Sequence, residues 1–104
     1  MSTPPPLTGR QKTHLRGIGQ TLEATLKLGK DGATPAFLSE FRRHLKAQEL
    51  VKLRFVGADR DEREVLRTQL SAETEAVCVG AVGHTALFYL PNPDPSRSRM
   101  TLPE

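Results

Sequence analysis

Three histidines, His14, His44 and His84, are the first residues to weigh for catalysis or metal binding. Each stands alone, without a second histidine or a carboxylate cluster at the spacing a metal centre needs. The one dense carboxylate run, Asp59, Asp61, Glu62 and Glu64, is interleaved with Arg60, Arg63 and Arg67. Spacings of i, i+4 between them predict a solvated, salt-bridged helix face, not a cation site. The single cysteine, Cys78, excludes an internal disulfide framework and a Cys-rich zinc site. Its apolar surroundings, Ala76 to Val79, predict a buried, inert thiol. No nucleophile has a base beside it. The chain is therefore expected to be no enzyme and to need neither metal nor cofactor.

Phosphate binding is the better-supported chemistry. Two Gly-x-x-Gly stretches occur, a pattern that composition alone can produce by chance. Gly80-Ala81-Val82-Gly83 has no donor side chain and belongs to a turn. Gly29-Lys30-Asp31-Gly32 follows a strand pattern and precedes a helix opened by Thr34-Pro35. Glycines let backbone approach a phosphate, the helix N-terminus adds partial positive charge, and Lys30 adds a full one. KH-type loops clamp single-stranded RNA in this way. Asp31 opposes that use, and an ordinary strand-to-helix turn is the alternative.

Basic residues surround this loop. Lys27, and then Lys52 and Arg54, point off the exposed sides of two strands, while Lys12 and Arg16 form one edge of the first helix. Arg42, Arg43 and Lys46 serve solubility as readily as binding. Phe88 and Tyr89 are expected in the strand core and not stacked on bases.

These residues need elements to position them. Leu15, Ile18 and Leu22 make one stripe of a helix beginning near Thr8, weakened by Gly17 and Gly19. Residues 24–28 alternate as a strand, and Phe37, Leu38, Phe41 and Leu45 line one face of a second helix. Residues 50–56 form a second strand, with Val51, Leu53 and Phe55 inward. Asp59 and Glu62 resemble a capping box opening a third helix through Leu70. Residues 76–82 and 84–90 are expected to pair antiparallel, both covered on much of each face. The order α-β-α-β-α-β-β predicts an α/β (α+β two-layer) domain, a mixed four-stranded sheet with three helices. At 104 residues there is one core's worth of chain, and residues 1–6 and 92–104 are expected to be loose ends.

Charge is uneven within the net +3. Residues 1–58 hold ten Lys/Arg against four Asp/Glu, whereas residues 59–79 hold three against six. Such a dipolar molecule would orient on a polyanion. Lacking an apolar run of roughly 18 residues and a secretory leader, the chain is expected in the cytoplasm, away from membranes.

Several segments together resemble a known family. They are Leu7-Thr8-Gly9-Arg10-Gln11-Lys12 with Leu15-Arg16, Leu28 to Thr34, Glu49 to Leu53, Val82-Gly83-His84-Thr85 and Phe88-Tyr89-Leu90-Pro91. In order and spacing they are similar to the CRM domain (chloroplast RNA splicing and ribosome maturation), of the stand-alone bacterial YhbY-like type, over residues 7–91. The resemblance implies a fold like the C-terminal domain of translation initiation factor 3. It also implies RNA binding with Gly29 to Gly32 on the binding surface, and association with the large ribosomal subunit precursor, hence rRNA. Two positions depart from the family pattern: Leu90 replaces a common arginine, and His84 a common Lys or Arg. Each removes a permanent cation from the last strand.

The expected function is thus a monomeric, non-catalytic rRNA-binding assembly factor. Its expected contacts are Lys12, Arg16, Lys27, Gly29, Lys30, Asp31, Gly32, Lys52, Arg54 and His84. The alternative is a protein-interaction module docking on a ribosomal protein through the acidic helix.

Overall fold

The computed structural model describes residues 7–29 and 31–92; Lys30, residues 1–6 and, of the expected loose tail 92–104, all but Asn92 lie outside the described residues. Helix α1 (Gly9–Gly19) starts at Thr8, whose hydroxyl accepts from the Gln11 amide while the Gln11 side chain accepts from the Thr8 amide. Strand β1 (Leu26–Leu28) leads to helix α2 (Pro35–Gln48), capped by Thr34 with proline at the first turn. Strand β2 (Leu50–Phe55) follows, then helix α3 (Arg60–Thr74), opened by the Asp59–Glu62 capping box. Strands β3 (Val77–Val82) and β4 (Thr85–Tyr89) close the fold as a hairpin turned by Gly83 and His84. Gly83 has φ +56°, which the first residue of such a tight turn reserves for glycine.

The sheet order is β1-β2-β4-β3. β1 and β2 are parallel, so the chain must cross over between them, and α2 is that crossover. Every other pair is antiparallel. Val51, Leu53 and Phe55 of β2 pack with Ala86 and Phe88 of β4 beneath α2 and α3, against Leu38, Phe41, Leu45 and Leu70. Phe41 and Phe88 meet edge to face at 5.3 Å. The opposite residues, Leu50, Leu87, Tyr89 and Val79, pack with Leu15 of α1. The two-layer expectation thus describes the sheet with α2 and α3, while α1 adds a partial cover on the other face. Completely burying Leu15 there is worth about 1.5–3 kcal/mol.

Some expectations move. α1 ends at Gly19, short of Leu22, where the Gln20 amide donates back to Arg16 and Ile18. α3 runs past Leu70 to Thr74, because nothing in Ser71–Thr74 breaks it, and it stops where Glu75 turns left-handed at φ 66°. Only β4 is covered on both faces; β3 is an edge strand whose Ala81 and Val82 are exposed. Cys78 is half-buried instead of buried, and desolvation pushes its thiol up, which keeps it protonated and unreactive.

Glu49 joins α2 to β2 with a backbone φ of 62° while 1% exposed. Its amide donates to Leu45, its carbonyl accepts from Leu90, and its carboxylate accepts from the Asn92 amide. Burial, and secondarily the Glu49 charge, pushes the Tyr89 phenol up. Among the described residues, no helix is long and apolar enough to cross a membrane, and no His, Cys, Asp or Glu group could hold a metal ion.

Candidate nucleic-acid interface

The basic residues of the α1 side fall into two sets. Lys52 is half-buried, and its Nζ donates to the carbonyls of Gly19 and Leu22 at 3.3 Å each. A cation there satisfies carbonyls at the end of α1 and complements its dipole. Arg16 reaches β3, where Nη1 donates to the Val79 carbonyl at 3.1 Å. That carbonyl belongs to the bulge between Cys78 and Gly80, where ladder pairing lapses. A Cβ on Gly80 would stand 3.0 Å from the Arg16 side chain, so glycine lets the arginine lie flat on the strand. Arg16 and Lys52 both line a groove of about 360 Å³ between α1 and the β3–β4 pair.

The second set lies beyond the end of α1. Lys27 and Arg54 are cross-strand partners, Arg54 pairs in turn with Thr85, and Thr85 with Val82. Lys27 and Arg54 are exposed, Thr85 is half-buried and Val82 is 80% exposed. Neither cation forms an ion pair within the described residues. Like charges side by side on neighbouring strands repel, and an anion between them relieves that repulsion. Lys12, on α1, is half-buried and outside this row.

Lys27 stands two residues before the glycine loop. The loop is closed on itself: Gly32 N–H donates to the Gly29 carbonyl at 3.1 Å, and Thr34 N–H to the Gly32 carbonyl at 2.9 Å. The Phe37 amide goes to the Thr34 hydroxyl, and Pro35 has no N–H. Fewer free amides therefore face the loop than its helix-start pattern suggests. The two glycines have different grounds. Gly32 needs its φ of +71°, whereas a Cβ on Gly29 would meet nothing within 4 Å. Exposed Asp31 lies between them.

At the hairpin tip, exposed His84 presents Nδ1 to Arg63 Nη1 at 3.3 Å, and the same Nη1 donates to the Ala58 carbonyl at 2.9 Å. Arg63 thus faces the hairpin, and no ion pair forms on α3 among the described residues. The salt-bridged helix face expected from charge spacing is absent. A main-chain carbonyl and an imidazole hold the arginine, and the Asp59 and Glu62 side chains cap the helix.

A family model for the CRS1 / YhbY (CRM) domain matches residues 7–89. This chain belongs to the CRM family. A protein of Pseudomonas aeruginosa named "Probable RNA-binding protein" is 35% identical over 92 residues, covering 88% of each chain. An "RNA-binding protein" of Haemophilus influenzae is 33% identical over 86 residues, covering 83% of this chain and 87% of its own. The solution structure of a hypothetical protein from Staphylococcus aureus superposes with a TM-score of 0.78 at 25% identity, covering 93% of this chain and 99% of the other.

The two positions that the resemblance singled out, Leu90 and His84, have defined surroundings in this CRM domain. Leu90 is half-buried against the α2–α3 core, so its side chain packs as an apolar residue. At His84, Arg63 brings a permanent cation to within 3.3 Å of the ring. Sequence reasoning missed Arg63 as a rim residue, because its charge spacing within α3 pointed to neighbours one turn away. It also missed the Lys27–Arg54 juxtaposition, which depends on parallel register.

Proposed function

We propose that this CRM domain, residues 7–91, is a non-catalytic RNA-binding protein that associates with the large ribosomal subunit precursor and assists its assembly. In this reading it works in the cytoplasm as a monomer and takes rRNA by its backbone. The observation that carries it is the Lys27–Arg54 pair: two exposed, adjacent cations with no ion-pair partner among the described residues, on the uncovered end of a sheet. A phosphate backbone relieves their repulsion, and its charge density rewards such a pair. Gly29, Asp31 and Gly32 of the loop, and His84 with Arg63, extend the path along the same end of the sheet, and Lys30 is assigned to it from the sequence alone. Arg16, Lys52 and Lys12 flank it on the α1 side, the first two already engaged with main chain. The names of the relatives support RNA as the partner.

Two measurements test this reading. Anisotropy of labelled rRNA fragments should give an affinity falling log-linearly with salt. In a sucrose gradient of cell extract the protein should sediment with large-subunit precursors. A flat salt response would remove RNA backbone binding, and sedimentation only at the top of the gradient would remove the ribosomal assignment.

A further inference from the structure

We propose that the groove at the end of α1 is a subsite for one unstacked nucleobase of a single-stranded RNA whose backbone lies on Lys27 and Arg54. The subsite rests on the RNA-binding reading above and accounts for a part of the ligand that carries no charge. The groove, about 360 Å³, lies between the end of α1 and the sheet, and Arg16, Gln20, Lys52, Gly80 and Val82 contribute to its lining. Small-ligand sites occupy roughly 300–1,000 Å³. On the α1 side of the sheet Lys52 pairs with Leu87, and Leu87 with Gly80. Two residues further along each strand the next row is Arg54, Thr85 and Val82, with Lys27 beside Arg54. The two rows are about 7 Å apart. A nucleotide whose phosphate sits on Lys27 and Arg54 therefore has the groove within reach of its base.

The lining selects the occupant. Its charged side chains are Arg16 and Lys52, and the acidic residues nearest along the chain, Glu23 and Glu49, are not part of it. Single-stranded bases are taken by stacking on aromatic rings or on guanidinium planes. The rings of this protein are turned inward: Phe41, Phe55, Phe88 and Tyr89 are buried, and Phe37 packs half-buried on the α2–α3 side. Arg16, which is exposed, supplies the plane instead. Its guanidinium is held at both ends, Nη1 on the Val79 carbonyl and Nη2 on the Thr13 hydroxyl at 3.2 Å. Gly80 leaves room for its aliphatic stem against β3. An arginine fixed before the ligand arrives loses little freedom on binding. Arginine has five N–H donors and lysine three, so both cations keep donors beyond those taken by main chain and Thr13. The exposed Gln20 amide has no side-chain partner among the described residues and can both donate to and accept from a base edge. Val82, 80% exposed, offers apolar surface beside it.

The experiment pairs anisotropy with an amide chemical-shift titration of the full-length, isotope-labelled chain. The probes are an RNA backbone of roughly nine abasic nucleotides, a length within the site sizes of single-strand binders, and the same RNA with one central uridine. The two carry equal charge, so both should shift Lys27 and Arg54 and weaken with salt at the same slope. The uridine probe should bind about tenfold more tightly, as expected of one stacked base. It alone should move the amides of Gln20, Gly80, Ala81 and Val82. Arg16→Lys keeps the charge and loses the plane, and should remove most of that tenfold gain with the salt slope unchanged. Gln20→Ala combined with Val82→Ser, both at exposed positions, should also reduce the gain while leaving the Arg16 anchor in place. Equal affinity of the two probes would overturn the subsite and leave backbone binding standing. So would a gain that survives both variants, or uridine-specific shifts confined to the glycine loop. Failure of both probes and of rRNA fragments to bind would overturn the RNA reading itself, and the subsite with it.

Discussion

Arg16 of α1 and Lys52 of β2 lie on the same side of the sheet as Lys27 and Arg54 and carry the same charges, but meet different surroundings. The first pair lies where α1 covers the strands, and both cations are taken up by main-chain carbonyls of α1, its C-terminal extension and β3. The second pair lies where the cover has ended, with nothing in the described chain to answer its charge. A basic side chain on this face is thus a structural clamp or an open contact according to how far it lies from the end of a single helix. Surface charge by itself does not distinguish the two.

Reversing charge in the open pair should have the largest effect. Lys27→Glu with Arg54→Glu is expected to lower rRNA affinity by roughly two orders of magnitude near 0.1 M salt and to reduce the salt slope by about two. The thermal midpoint should hardly move, since exposed unpaired cations add little to folding. Anisotropy and calorimetry on the same sample would read both. Lys52→Met should do the reverse, costing about 1–2 kcal/mol through two lost charged hydrogen bonds and lowering the midpoint by several degrees. A Lys52 variant that unfolds like the wild type but no longer binds RNA would erase the distinction between the pairs.

The glycine loop permits a finer version of the same contrast. Gly32→Ala should cost about 1 kcal/mol, because its φ of +71° strains any L side chain. Gly29→Ala should leave stability within about 0.5 kcal/mol of the wild type, with open space around the added methyl. If RNA backbone approaches there, that methyl should still lower affinity several-fold; unchanged affinity takes Gly29 out of the path.

The smallest expected effect is in acid. The Glu62 amide, and then the Glu62 side chain and Arg63, hold the Asp59 carboxyl below its usual value. A lowered folded-state value means that Asp59 stabilises α3 above about pH 4 and ceases to as pH falls through that lower value. Asp59→Asn keeps an amide oxygen to cap the helix, so its acid unfolding curve should lose part of this dependence. Circular dichroism between pH 2 and 5 compares the two.

Much of the fold was legible because local rules agree with one another. Thr34-Pro35 and Asp59–Glu62 mark helix starts, and Phe37 to Leu45 mark a buried helix face, where Leu38, Phe41 and Leu45 are indeed buried. Gly17 and Gly19 looked alike as helix weakeners, yet a Cβ on Gly19 would come within 2.4 Å of Leu87 while Gly17 faces open space. Only packing separates them. The site was less legible for the same reason. Alternation showed that Lys52 and Arg54 point off one face, but where α1 ends upon that face is a tertiary fact. Likewise, Arg63 has carboxylates one turn away and is drawn instead to a hairpin 21 residues later.

The latch at Glu49 fixes a direction of attachment. It ties the chain after β4 to the start of β2, where Leu50 pairs with Tyr89, while Arg54 pairs with Thr85 at the other end. Four residues of strand separate these points, about 13 Å. A reporter dye on a cysteine engineered at Asn92 would therefore ride on the pole remote from the Lys27–Arg54 end. Such a dye could follow the domain on a ribosomal particle without competing for the surface being measured.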